Sequence, residues 1–194
     1  VVSHDDELIN QDVLVEDGKI AAIDVVLDAQ ADRVIDAKGA LLTPGLVDIH
    51  IHFREPGFEY KETIATGSKA SARGGFTTVA AMPNLNPVPA TVAAFQQVQA
   101  KNSTDGVVHI EQYAAISEGL TSDDVSDIQA LADAGAVAFT NDGKGVQTAA
   151  TMLTAMKAAA AVYRPLVAHL EDESLMNGGV MNQGKRSEEL GLPG

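Results

Sequence analysis

The sequence predicts an α/β protein built on a parallel sheet, and three observations carry that expectation. Five apolar, strand-like runs begin at Leu46, Phe76, Val107, Ala136 and Pro165, so their starts differ by 30, 31, 29 and 29 residues. Ala-rich stretches of helical character lie between them. Polar residues gather at the C-terminal ends of the runs: His50, His52 and Arg54 after the first, Asn84 after the second, Asn141 and Asp142 after the fourth, His169 at the fifth. Repeated βα units of this length make a sheet covered by helices. A doubly wound dinucleotide-binding sheet would show G-x-G-x-x-G after its first strand, and the chain has no such motif. A (β/α)8 barrel of the TIM type brings all its strand ends to one mouth, which accounts for the polar ends. Eight such units need roughly 240 residues. The expectation is therefore a partial barrel of about five strands over 44–194, preceded by a small β-rich domain over 1–43.

In the first 43 residues, QDVLVEDGKIAAI holds two apolar runs around Asp17-Gly18, a hairpin signal. RVIDAKGALLTPG repeats the pattern, with turns expected at Lys38-Gly39 and Pro44-Gly45. From Gly45 onward the strands are LVDIHI, FTTVAAM, VVHIEQYAAI, AVAFT and PLVAH. The helices are KETIATGSKASARGG, TVAAFQQVQAKN, SDDVSDIQALADAG and TAATMLTAMKAAAAVY. In the third of these, Ser122, Asp123 and Asp124 suit a helix N-terminus and Gly135 its end.

At 45% hydrophobic the chain is globular. Its net charge of -14 argues against nucleic acid and anionic membrane surfaces as partners. The absence of cysteine excludes disulfides and thiolate metal sites, so a metal would need His, Asp or Glu. No apolar run approaches the roughly 20 residues of a spanning helix, and no signal peptide heads the chain, so a cytoplasmic protein is expected. The chain opens on Val-Val and closes on LGLPG, and reads as part of a longer polypeptide.

His50 and His52 stand two apart in a strand, so their imidazoles share a face and can share a cation. Arg54 continues that face if the strand persists. The alternative is a pair of imidazoles satisfied by neighbouring backbone, but burying two without a ligand is costly. His169 reads equally as a structural residue or as a ligand at the same rim. Asp142 lies in FTNDGKG, where Asp-Gly alone is turn chemistry; on the barrel it faces the same mouth, where a carboxylate can bridge two divalent ions. Arg54 is suited to bidentate binding of a carboxylate. Asn84, in MPNLNP, reads equally as a turn former or a binding group. Glu171 and Asp172 are expected to orient His169 or cap the next helix. His4, in a polar loop, and His109, inside a strand, are left out of the site.

GLVDIHIHFREPGFEYKETIATGSKASARGGFTTVAAMPNLNPVP, FTNDGKG and VAHLEDE together resemble the signatures of the amidohydrolase superfamily and, within it, of the class I dihydroorotases. The resemblance covers the whole chain, with residues 1–43 similar to the small domain before the barrel and RSEELGLPG to the segment after the fifth strand. It implies a zinc-dependent dihydroorotase of de novo pyrimidine biosynthesis. Such an enzyme reversibly closes N-carbamoyl-L-aspartate to L-dihydroorotate with loss of water. His50 and His52 would hold one zinc, Asp142 would bridge or ligate, and His169 would hold a second; the count stays open at one or two. Arg54 and Asn84 would grip the substrate carboxylate, with His52 lining that pocket. A further His ligand and the Asp base would lie beyond residue 194, so these 194 residues alone are expected to be inactive and to bind metal poorly. A homodimer and association with aspartate transcarbamoylase are implied partners. Hydantoinases and allantoinases use a carboxylated lysine on the fourth strand; AVAFTND has none before Asp142, and Lys144 falls two residues late. A related hydantoinase or allantoinase, or a non-catalytic scaffold of aspartate transcarbamoylase, are the alternatives. The scaffold would have lost its paired histidines, which are present here.

Overall fold

A computed structural model describes residues 9–176 and 178–194. The chain divides between Gly45 and Leu46 into two compact units. In the first, β1 (Asp12–Glu16) and β2 (Lys19–Asp24) form an antiparallel hairpin. Its turn places Asp17 and Gly18 at positive φ, as the Asp-Gly signal requires. RVIDAKGALLTPG departs from expectation. It turns at Lys38-Gly39, where the Ala40 N–H donates to the Ala37 carbonyl, but no strand forms there. A turn signal without a pairing partner does not make a ladder.

The second unit is a parallel α/β domain with a three-stranded and a two-stranded sheet. Its strands are β3 (Leu46–Ile51), β4 (Phe76–Ala81), β5 (His109–Gln112), β6 (Ala114–Ala115) and β7 (Phe139–Thr140). β4 lies between β3 and β5, and β6 pairs with β7. Phe139 bridges in parallel to Leu166, the remnant of the expected PLVAH strand. Within the three-stranded sheet β3–β4–β5 each strand lies beside its predecessor in chain order, and β6–β7 form a separate two-stranded parallel sheet. β5 and β6 are one expected run interrupted at Tyr113. Gln112 covers the break: its Nε2 donates to the carbonyls of Ala81 and Tyr113, and its Oε1 accepts from Asn102 Nδ2.

The connecting helices are α1 (Ile64–Arg73), α2 (Val92–Asp105), α3 (Ile128–Asp133) and α4 (Ala149–Ala161). Thr63, Thr91 and Thr148 cap α1, α2 and α4 by accepting from backbone N–H groups of the first turn. α3 is shorter than expected. It starts at Ile128 with Asp127 as the cap, while Ser122 instead accepts from the Asp124 N–H in the preceding loop. Two equally good cap sequences stand in SDDVSD, and the apolar contacts of Ile128 and Leu131 select the later one. α5 (Glu173–Met176) and α6 (Lys185–Leu190) close the chain.

Alternation from Val79 onward explains why the second half of β4 is apolar, unlike Thr77 and Thr78 before it. Val79 and Ala81 pack with Phe53 and Ile64, and Ala80 and Met82 pack with Tyr113 and Ala138. Both faces of the strand are therefore covered, as in a parallel sheet. Gly67 lies inside α1 because Phe53 presses on it: a Cβ there would stand 2.5 Å from the ring. The largest core joins Phe95 of α2, Leu131 of α3, Ala155 and Ala159 of α4 and Phe139 of β7. Phe139→Ala is expected to cost about 3–5 kcal/mol of stability, read as a lower urea midpoint.

Candidate metal centre

The site forms where β3, β4 and β7 end. His50 is the penultimate residue of β3 and His52 follows its last. Their rings stand 5.2 Å apart, on one face as the spacing predicts. Asp142 follows β7 and is 5% exposed. Three imidazoles converge on its carboxylate. His50 Nε2 lies 3.4 Å from Oδ1, His52 Nε2 3.5 Å from Oδ2, and His169 Nδ1 3.2 Å from Oδ1. His50, His52 and Asp142 each offer one ligand atom, all within 4.8 Å of one another. His169 joins them through Asp142.

Outer hydrogen bonds set which ring nitrogen is free. Asn84 Nδ2 donates to Asp142 Oδ2 at 3.4 Å, because a carboxylate only accepts. Its Oδ1 then faces His52 Nδ1 at 3.0 Å and accepts from it. That places the proton on Nδ1 and turns the Nε2 lone pair toward Asp142. His169 repeats the logic: Nε2 donates to Glu171 at 2.6 Å, which in the neutral ring leaves the Nδ1 lone pair toward Asp142. Lone pairs and a carboxylate repel unless a cation lies among them. The donor set therefore fits a divalent ion bound by imidazole and carboxylate, with outer partners orienting the rings. Burial pushes the His52 pKa below its ordinary 6.5; the Asn84 hydrogen bond opposes this, the Arg54 charge adds to it, Asp142 opposes and His50 adds.

The backbone that holds Asp142 is itself buried and paired. Asn141 Oδ1 accepts from the N–H groups of Ile116 and Ser117, and its Nδ2 donates to Ser117 Oγ at 2.8 Å. The sequence placed Asn141 at the rim but did not mark it as the anchor of Asp142; a polar residue beside a ligand at the end of an apolar strand is the signal for it. Gly143 follows at φ +86, and a Cβ there would stand 3.1 Å from Asn84 Nδ2. Asp172 takes the capping role foreseen for it, accepting from the Ser174 N–H, with the next helix starting at Glu173.

Arg54 corrects one expectation. It does not extend the β3 face, because the strand ends at Ile51 and Arg54 has φ 64. Among the described residues its guanidinium makes no hydrogen bond or ion pair. Asn84, expected at a substrate carboxylate, here links His52 to Asp142.

A parallel α/β domain with a histidine–carboxylate cluster at its strand ends has the architecture and donor set of a candidate metal centre. The family model described as dihydro-orotase-like matches residues 39–194, and the chain belongs to that family. A dihydroorotase of Enterococcus faecalis is 57% identical over 100% of this chain and 46% of its own length. One from Lactobacillus leichmannii is 54% identical over 100% of this chain and 45% of its own. The chain thus spans under half the length of these relatives. Among solved structures, an L-hydantoinase (dihydropyrimidinase) from Arthrobacter aurescens superposes with a TM-score of 0.77 at 29% identity, over 86% of this chain and 38% of that one. Among the described residues no helix is long and apolar enough to cross a membrane.

Between the lowered His52 pKa and 6.5, the unfolded chain binds a proton that the folded chain does not. That contribution to stability is complete above 6.5 and is lost as pH falls through the window. In metal-free protein, the His52 ring is expected to titrate below 6.5 by NMR, and Asn84→Leu to alter its tautomer signature.

Proposed function

We propose that the full-length protein carrying this chain is a cytoplasmic, zinc-dependent dihydroorotase that interconverts N-carbamoyl-L-aspartate and L-dihydroorotate. The observation that carries this is the convergence of three imidazoles on Asp142 in a member of the dihydro-orotase-like family. Relatives above 50% identity named dihydroorotase support the substrate. Residues 44–194 are read as the first part of a (β/α)8 barrel and 1–43 as a small β-rich domain. The in-order parallel strands support the first, and the Asp12–Asp24 hairpin the second.

His50, His52, Asp142 and His169 would hold one or two ions. When bound, the metal supplies Lewis acidity, polarising the amide carbonyl and lowering the pKa of a water. In ring opening, water adds to the amide carbon, the C–N bond breaks and the ring nitrogen takes the proton. Asn84 and Glu171 keep the His52 and His169 lone pairs directed inward, so the rings need no reorientation. Arg54 receives the substrate carboxylate and converts its binding into orientation of the amide. The buried carboxylate of Asp142 holds the imidazoles in register.

Asp142→Ala is expected to remove bound zinc, read by elemental analysis, and to lower kcat by at least about 1,000-fold. Arg54→Met is expected to raise KM for dihydroorotate about 100-fold with zinc content unchanged. Turnover of dihydroorotate but not hydantoin is the expected substrate result; the reverse would overturn the assignment in favour of a hydantoinase.

A further inference from the structure

Arg54 and Glu55 are neighbours of opposite charge, and a carboxylate beside Arg54 is a natural competitor for the anion it is meant to bind. The structure takes that carboxylate away. Glu55 Oε1 meets Lys101 Nζ at 2.8 Å, and Oε2 accepts from the Ile64 N–H at 2.9 Å. Ile64 is the first residue of α1, so the charge also lies at a helix N-terminus, where it is favoured. The Glu55 side chain is only 12% exposed. Two further bonds tie the loop: the Phe58 N–H donates to the Arg54 carbonyl, and the Asn86 N–H to that of Pro56. Arg54 itself sits at φ 64, a conformation that surroundings must impose on a non-glycine residue. Lys101 lies on α2, is 40% exposed on its side chain, and belongs to no part of the metal cluster. The Glu55 contact also raises the Lys101 pKa.

We propose that Glu55 and Lys101 form a clamp that positions Arg54 and leaves its guanidinium free for the substrate carboxylate, a role that rests on the dihydroorotase reading above. Lys101 is a decoy cation. It satisfies the carboxylate that would otherwise close on Arg54, and through Glu55 it fixes the loop to α1 and α2. Both are positioning residues that never touch substrate.

The test uses steady-state kinetics of dihydroorotate ring opening by the full-length protein, with calorimetric titration of dihydroorotate. Lys101→Met is expected to raise KM and the dissociation constant about ten-fold, with kcat changed by less than about two-fold and with zinc content and Tm retained. Glu55→Gln should move KM in the same direction. The double variant should be no worse than the worse single one, because both break one pair. An unchanged KM in Lys101→Met overturns the clamp. So do additive effects in the double variant, or a fall in kcat accompanied by zinc loss or a lower Tm, which mark a merely structural pair. If the unmodified protein does not turn over dihydroorotate, the underlying reading falls and takes the clamp with it. If it does and Lys101→Met matches it, the clamp alone falls.

Discussion

A carboxylate nearly closed off from water, with imidazole nitrogens on three sides, sets the terms for the rest of this molecule. Asp142 has lost most of its hydration, and a buried charge is tolerated only with compensation. Asn84 gives one amide hydrogen bond, which is weak compensation for a full charge. In the neutral rings, the nitrogens of His52 and His169 that face it carry lone pairs, because the other nitrogens donate to Asn84 and Glu171. The cluster is therefore electron-rich at its centre, and a cation is the partner its chemistry calls for.

Keeping such a cluster in place demands rigid support, and the sheet provides it. His50 and His52 come from the end of β3 and Asp142 from the end of β7, while His169 follows the chain that bridges to β7 at Leu166. Asn141 ties the Asp142 backbone to Ile116 and Ser117, which follow β6. Behind these ends, β4 is packed on both faces, and the Phe95–Phe139 core joins three helices to the sheet. The loop after β3 has a different kind of support. Arg54 stands on a loop held by side chains and isolated backbone bonds rather than by a ladder. The histidine–carboxylate cluster and the Arg54 loop thus rest on separable parts of the structure.

The departures from the sequence-based expectation share one cause. RVIDAKGALLTPG carries the turn residues of a hairpin and forms the turn without the strands. SDDVSD offers two helix caps, and the helix takes the second. Arg54 follows the alternation of LVDIHIHFR on paper, but the strand stops at Ile51. In each case the local signal was present and a contact distant in the chain overrode it or was missing.

Periodicity and residue spacing were enough to read the βα order, the Asp17-Gly18 turn and the shared face of His50 and His52, because those depend on backbone geometry within a few residues. The approach of His169 to Asp142, the link that Asn84 makes between His52 and Asp142, and the capture of Glu55 by Lys101 join segments separated by up to 58 residues. Such contacts obey no local period. They exist because packing of the sheet and its helices brings the strand ends and loops together, and charge and hydrogen-bond geometry then decide which side chains meet.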